Sequence, residues 1–295
     1  MAIPQIPHYS IPDHVMLNRP PLPWTPTPER AALLIHDMQN HFLKPYASQA
    51  FVDSLVGRIQ SLRAACHTLG IPVFYTAQPG DQPTASRGLL CDFWGPGLAK
   101  DGVSPAIVGG LEPDAQRDVV LVKHRYSAFA RSDLRKRLQA AGRDQLIICG
   151  VYAHIGCLTT ATDAFMADIQ PFVVADALGD FSLERHQWAL EHMAHCSSVV
   201  LSTEQLLDTL APARKAHDLP ADVARCLELP VAQVNEVDDP LQLGLDSVRL
   251  LMLFEQWQQA GVPVTFLELL ERRSVRAWVA LVDRRLHAHA AGEPA

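Results

Sequence analysis

Gly150-Val151-Tyr152-Ala153-His154-Ile155-Gly156-Cys157 joins a buried-type apolar run at 146–149 to a segment of helical character at 158–169. In an open parallel sheet such a junction brings a strand's carboxyl end and a helix's free backbone N–H groups to one crevice. The partial positive charge there favours an anion or a developing oxyanion. Two glycines within eight residues predict close approach of the backbone to a ligand. An ordinary strand-to-helix turn uses the same residue types, so the stretch needs support from the rest of the chain.

Upstream, residues 31–38 read Ala-Ala-Leu-Leu-Ile-His-Asp-Met, an apolar run of the kind buried on both faces of a parallel sheet, with Asp37 at its carboxyl end. Val52, Leu55, Val56, Ile59, Leu62, Cys66 and Leu69 recur at helical spacing before a stop at Gly70. Residues 71–77 predict a second strand with Gln78 just past its end, and 119–123 a third that carries Lys123 at its end. Between these strands, 79–118 reads as a long loop rich in Gly and Pro that holds Arg87, Phe93 and Trp94; loops of that length usually line a site. A helix is expected over 132–141, capped by Ser132 and stopped by Gly142. Residues 146–151, 172–175 and 199–201 supply the fourth to sixth strands, with a helix over 183–195. The alternation predicts an α/β fold with a doubly wound parallel sheet. Residues 1–30, crowded with proline, are expected to form an extended arm on the body.

This order has a chemical consequence. Asp37, Gln78, Lys123 and the 150–157 turn all fall at or just beyond carboxyl ends of parallel strands, and so on one edge of the sheet. Any one of them alone is as readily a helix cap or a surface ion pair. Four together point to a site.

After Leu207 the periodicity is helical and no strand pattern recurs. Helices are expected over 215–229, 247–258, 266–270 and 275–286, with Asp246 as the N-cap of the second. The reading is a small four-helix domain over 214–295, joined by a linker at 209–213 to an α/β domain over 1–208.

Composition narrows the classes. The 295 residues are 48% hydrophobic, enough for a real core. A formal charge of −7 provides no basic field for a nucleic acid, and no run of like charge suggests a membrane surface. The amino end lacks an export pattern and no apolar run reaches bilayer length, so a cytoplasmic location is expected. Cys66, Cys91, Cys149, Cys157, Cys196 and Cys226 show neither CxxC spacing nor a disulfide framework, and no metal site is expected.

His36-Asp37-Met38-Gln39-Asn40, Tyr75-Thr76-Ala77-Gln78-Pro79, Val122-Lys123 and the 150–157 turn followed by Leu158-Thr-Thr-Ala-Thr-Asp-Ala-Phe165 resemble the isochorismatases. Nearly the whole chain resembles the two-domain isochorismatase and aryl carrier proteins of catecholate siderophore synthesis, of the enterobactin and vibriobactin type. The tail rests on Leu243-Gly244-Leu245-Asp246-Ser247-Val248-Arg249-Leu250, which is similar to the phosphopantetheine attachment motif of carrier domains.

The resemblance implies hydrolysis of the vinyl ether of isochorismate, with Asp37 as proton donor, Lys123 beside it, and Gly156 at a position where wider relatives carry a catalytic cysteine. Cys157, one place along, would then be an inert thiol aimed at the helix packing. Gln78 and the N–H groups around Gly156 would hold the enolpyruvyl carboxylate, with Arg87 and Lys123 drawing on the substrate's negative charge. Tyr152, Phe42 and Trp94 would wall the pocket, a role no better supported for each ring than ordinary core packing. Ser247 would carry 4'-phosphopantetheine, and Val248, Leu251, Phe266 and Leu270 would form apolar surface near the arm. Implied partners are a phosphopantetheinyl transferase, an aryl-acid adenylating ligase and the condensation domain of a nonribosomal peptide synthetase, with a homodimer as the assembly. Two other readings stay open here: a cysteine-dependent amidohydrolase using Cys157, and a non-catalytic scaffold whose function lies in the carrier.

Overall fold

Residues 31–36 are apolar except for the last, and all six are buried, as a strand covered by helices on both faces requires. The computed structural model describes residues 3–15, 22–210, 218–236, 239–259, 262, 264–272 and 274–290. Among these, six strands form one sheet: β1 (Ala31–His36), β2 (Val73–Ala77), β3 (Asp118–Val122), β4 (Gln145–Val151), β5 (Gln170–Gly179) and β6 (Val199–Leu201). Their order is β3-β2-β1-β4-β5-β6 and every pairing is parallel.

The two-residue repeat of a strand divides β1 between two cores. Leu33 and Ile35 pack with Leu55 and Ile59 of the helix Gln49–Thr68 and with Leu206 of the helix Thr203–Leu210. Ala32 and Leu34 pack on the opposite face with Leu138, Ala161 and Leu190, from the helices Leu134–Ala140, Leu158–Met166 and Leu183–Cys196. Each fully buried Leu or Ile contributes about 1.5–3 kcal/mol relative to exposure, so helices on both sides hold the strand in place.

Several expected boundaries move. β5 runs on through Asp176, where an apolar-run reading stops at Ala175, because this carboxylate is satisfied inside the protein. It pairs with Arg58 Nε at 3.1 Å and accepts hydrogen bonds from the Thr203 N–H at 2.7 Å and hydroxyl at 2.8 Å. The segment 79–118, expected as loop, contains the short helices Thr84–Arg87 and Leu90–Trp94. Ser132 stands one residue before the N-cap position, Asp133, of the helix Leu134–Ala140; its Oγ still accepts the Leu134 N–H at 3.3 Å, and its hydroxyl donates to the Ala128 carbonyl at 2.5 Å. The proline-rich arm is held by Ile6, which is fully buried and bridges to Tyr46, and by the Tyr9 hydroxyl, which accepts the Asp180 N–H at 2.8 Å. Arm positions 1, 2 and 16–21 lie outside the described residues.

The chain divides into two compact units after Leu210. The helix Thr203–Leu210 covers positions 209 and 210, which the expected linker had included. Positions 211–217, including the expected start of the first tail helix, lie outside the described residues. The second unit has, among its described residues, five α-helices where four were expected: Leu219–Leu227, Val231–Glu236, Ser247–Gln259, Phe266–Glu271 and Val275–Ala290. The addition, Val231–Glu236, is short and follows Pro230. The unit's core is anchored by Trp257, whose indole N–H donates to Asp222 at 2.9 Å, and Trp278, whose indole N–H donates to the Leu269 carbonyl at 3.0 Å. Among the described residues no helix is long and apolar enough to cross a membrane.

Candidate active site

The strand sequence reverses direction across the sheet between β1 and β4, and the crevice at the carboxyl ends of such a pair is where an open α/β sheet takes ligands. Asp37 follows β1 directly, in a left-handed conformation (φ 49°) that aspartate tolerates better than most residues. Its N–H donates to Thr76 Oγ1 at 3.0 Å, and the Thr76 hydroxyl donates back to Asp37 Oδ1 at 2.6 Å. Lys123, the first residue past β3, donates from Nζ to Asp37 Oδ2 at 2.5 Å. Both side chains are buried. Burial alone would raise the Asp37 carboxyl, but Lys123, His36 and the Thr76 hydrogen bond outweigh it and hold the group below its usual range.

Asp37, Lys123, Gly156, Gln78, Arg87, Tyr152, Phe42 and Trp94 all line one cavity of ≈ 1140 Å³ above this pair. Arg87 is buried, and its hydrogen bonds go to neutral acceptors: the Gly95 carbonyl at 2.7 Å, Gln78 Oε1 at 3.2 Å and Gln82 Oε1 at 3.4 Å. A buried guanidinium with only neutral acceptors retains donors and charge for an anionic ligand. Gln78 is pinned through its backbone by Gln39, which accepts its N–H and donates to its carbonyl, each at 2.8 Å. The Tyr152 hydroxyl donates to the Phe42 carbonyl at 2.5 Å, and the Trp94 indole donates to the Tyr126 hydroxyl at 2.8 Å.

Tyr126 and Phe181 join this wall without having been singled out in the sequence; the Phe181 ring lies 4.6 Å from that of Tyr152. Phe181 stands just beyond the true end of β5, so a strand-end search finds it once β5 is extended through Asp176. Ile3 and Gln5 of the arm also line the cavity.

Gly156 lines the cavity, and the two glycines of the turn have a second purpose beside the expected close approach to a ligand. Both make room for His36, the last residue of β1. A Cβ on Gly150 (φ 110°) would overlap the His36 carbonyl oxygen, and one on Gly156 would overlap the His36 ring at Cε1 and stand 2.8 Å from Nε2. The ring is fixed by a 2.8 Å hydrogen bond between Nδ1 and the Val151 carbonyl, which makes Nδ1 the protonated nitrogen. Burial, reinforced by Lys123, pushes the His36 pKa down to about 4, so the imidazole is neutral.

Cys157 is fully buried among Leu34, Ile148 and Ala161, and does not line the cavity. Burial pushes its thiol well above the ordinary range, the reverse of what a nucleophile requires. Among the described residues no cluster of side chains suited to a metal ion is present.

In the second unit Ser247 is exposed at the first turn of its helix, and Asp246 Oδ1 accepts the Arg249 N–H at 2.8 Å, capping that turn. The turn before it passes through Gly244 in a left-handed conformation (φ 93°). Val248, Leu251 and Leu270 are exposed, whereas Phe266 is half-buried against Phe254 and belongs more to the core than to an open surface.

A buried carboxylate–ammonium pair under a cleft at the reversal point of a parallel sheet is the arrangement of an α/β enzyme site. The chain belongs to the isochorismatase family: the isochorismatase domain model matches residues 31–205. It is 44% identical over 302 residues to isochorismatase of Bacillus subtilis, covering 97% of this chain and 96% of that protein. It is 43% identical over 293 residues to enterobactin synthase component B of Escherichia coli, covering 97% of this chain and all of that protein. The first unit also shares its fold with a cysteine hydrolase from Pseudomonas syringae pv. phaseolicola, at a TM-score of 0.60 and 23% identity over 65% of this chain and 98% of that one.

Proposed function

We propose that this chain hydrolyses isochorismate to pyruvate and 2,3-dihydro-2,3-dihydroxybenzoate, and that its second unit carries an aryl acid in siderophore synthesis. The likeness to isochorismatase and to enterobactin synthase component B over nearly the full length supports both parts. The observation that carries the mechanism is the Asp37–Lys123 pair on the floor of a cleft into which no thiol projects.

Vinyl ether hydrolysis begins with a proton delivered to the terminal CH2 carbon. Asp37 is the donor in this reading. The cation so formed is an oxocarbenium ion; water adds to its carbon, losing a proton to the emptied carboxylate. The resulting hemiketal breaks its bond to the ring oxygen, which takes a proton, and pyruvate leaves. Asp37 must be protonated when substrate is bound, although Lys123 favours its ionised form. Substrate carboxylates that draw on Lys123 and Arg87 resolve this, because they add negative charge and exclude water beside Asp37, raising its proton affinity. Gln78 holds the enolpyruvyl carboxylate, with less help from the turn than expected because the Ile155 and Cys157 N–H groups donate to the Tyr152 carbonyl at 3.2 and 3.3 Å, and Phe42, Tyr152 and Trp94 enclose the ring.

Ser247 accepts the 4'-phosphopantetheine arm from coenzyme A through a phosphopantetheinyl transferase. Its exposure at a capped helix start supports this, because a modifying enzyme must reach the hydroxyl. An adenylating ligase then loads the aryl acid as a thioester, and a condensation domain takes it onward. The assembly is a cytoplasmic homodimer of chains that each join an α/β domain to a carrier, divided after Leu210. The amidohydrolase reading lacks a usable nucleophile, since Cys157 is buried away from the cleft.

The test is pyruvate release from isochorismate, followed by lactate-dehydrogenase-coupled NADH consumption, with intact-mass analysis after treatment with coenzyme A and a transferase. Undiminished release by Asp37→Ala overturns the mechanism, and an unmodified Ser247 overturns the carrier.

A further inference from the structure

We propose that His36 is the residue that keeps this cleft free of a covalent nucleophile, its ring standing in the volume that a side chain at residue 156 would occupy beside Asp37 and Lys123. The ring, not a flexible chain end, meets a Cβ built on Gly156: it would overlap Cε1 and lie within 3.1 Å of both ring nitrogens. The same ring lies 3.8 Å from Asp37 Oδ2, so any side chain entering at 156 enters the acid–lysine site.

His36 cannot step aside cheaply. Its Nδ1 is bound to the Val151 carbonyl, its side chain is fully buried, and its backbone is pressed against Gly150 in β4. Its Nε2 makes no hydrogen bond of ordinary length, although the Tyr126 backbone lies close enough to favour the charged ring, so Val151 is the close polar anchor and packing does the rest. The sequence Gly156-Cys157 thus places the chain's own thiol one residue from the cleft, on the wrong side of the backbone, while His36 closes the right side. His36 borders the cavity beside Asp37, and the role inferred for it here is exerted through residue 156, which makes it a positioning residue. This packing holds whatever the substrate, so its test is independent of the proposed reaction.

The experiment compares Gly156→Cys with His36→Ala/Gly156→Cys in the full chain. Alkylation by iodoacetamide is followed by peptide mass at position 156, with exposed Cys196 as the internal reference. The thiol is expected to react at least about tenfold faster once His36 is removed. It should also show a pH midpoint below that of Cys196, because Lys123 then faces it. Equal rates in the two backgrounds, or a midpoint no lower than that of Cys196, overturn the proposal. Should Gly156→Cys fail to fold, thermal midpoints of Gly156→Ala with and without His36→Ala decide. A loss of at least about 5 °C that largely disappears in the double variant supports the packing role, and additive losses refute it.

Discussion

Asp37 is 5% exposed and held by Lys123 and Thr76, whereas Ser247 stands exposed at the start of a helix whose first turn Asp246 already caps. The difference follows what each is asked to do in the proposed function. Protonating carbon with a carboxylic acid needs charges fixed in advance and water kept out. Receiving a long arm from one enzyme and offering it to others needs a hydroxyl that can be approached from outside. The α/β unit provides the first by placing its polar groups between two apolar layers. The helical unit provides the second by leaving Ser247 exposed while Trp257 and Trp278 pack in its core.

The sharpest way to break this contrast is Ser247→Ala. Intact mass should change from complete gain of one phosphopantetheine to none, while pyruvate release stays within about twofold, as expected for sites on separate units. Asp37→Ala is the converse: kcat should fall by about 10²–10⁴-fold with arm attachment intact. A variant that loses both functions together would mean that the two units are not independent. Arg87→Ala should cost about 10–100-fold in kcat/KM, mostly through KM, because it removes charged hydrogen bonds to substrate while the Asp37–Lys123 pair remains. Steady-state kinetics with isochorismate checks the split.

The smallest effect concerns pH and the α/β unit alone. His36 and His186 are buried, with pKa values pushed down to about 4 from about 6.5, by burial in each case. The unfolded chain therefore takes up these protons first as pH falls, and stability declines between about pH 6.5 and 4. Asp37, held below its ordinary value, adds a further decline below about pH 3.8 as the unfolded carboxyl protonates first. Calorimetric midpoints at pH 7, 5.5 and 4.5 should fall in that order; a constant midpoint contradicts the burial of neutral histidines.

Much of this arrangement is legible in the sequence, because strand ends in a parallel sheet share an edge. Asp37, Gln78 and Lys123 could be grouped from apolar runs and the residue that follows each. Residues whose placement depends on long-range satisfaction were harder to read. Asp176 looks like the end of a strand until its partners Arg58 and Thr203 are known, and the misplaced end hides Phe181. Gly150 and Gly156 read as places where backbone comes close to a ligand, but both also make room for His36, more than a hundred residues earlier in the chain. Ser132 is legible as a cap because its partner is local, the Leu134 N–H, whereas the bond of its hydroxyl to the Ala128 carbonyl is not announced by the pattern. In the tail, the Asp246–Ser247 signature is legible because capping is local, while Val231–Glu236 is too short to show a period.

The arm has a consequence for anyone dividing the molecule. The family match begins at residue 31, but Ile3 and Gln5 border the cavity, and Tyr9 fastens Asp180, the neighbour of Phe181. Excising the chain to its matched limits would remove two residues of the cavity lining and the Tyr9 hold on Asp180, and is expected to open the cleft of Asp37 further to water. The low-dielectric surroundings that make a buried carboxylate–ammonium pair sensitive to its ligand would be diluted, even in a fragment whose sheet remains whole.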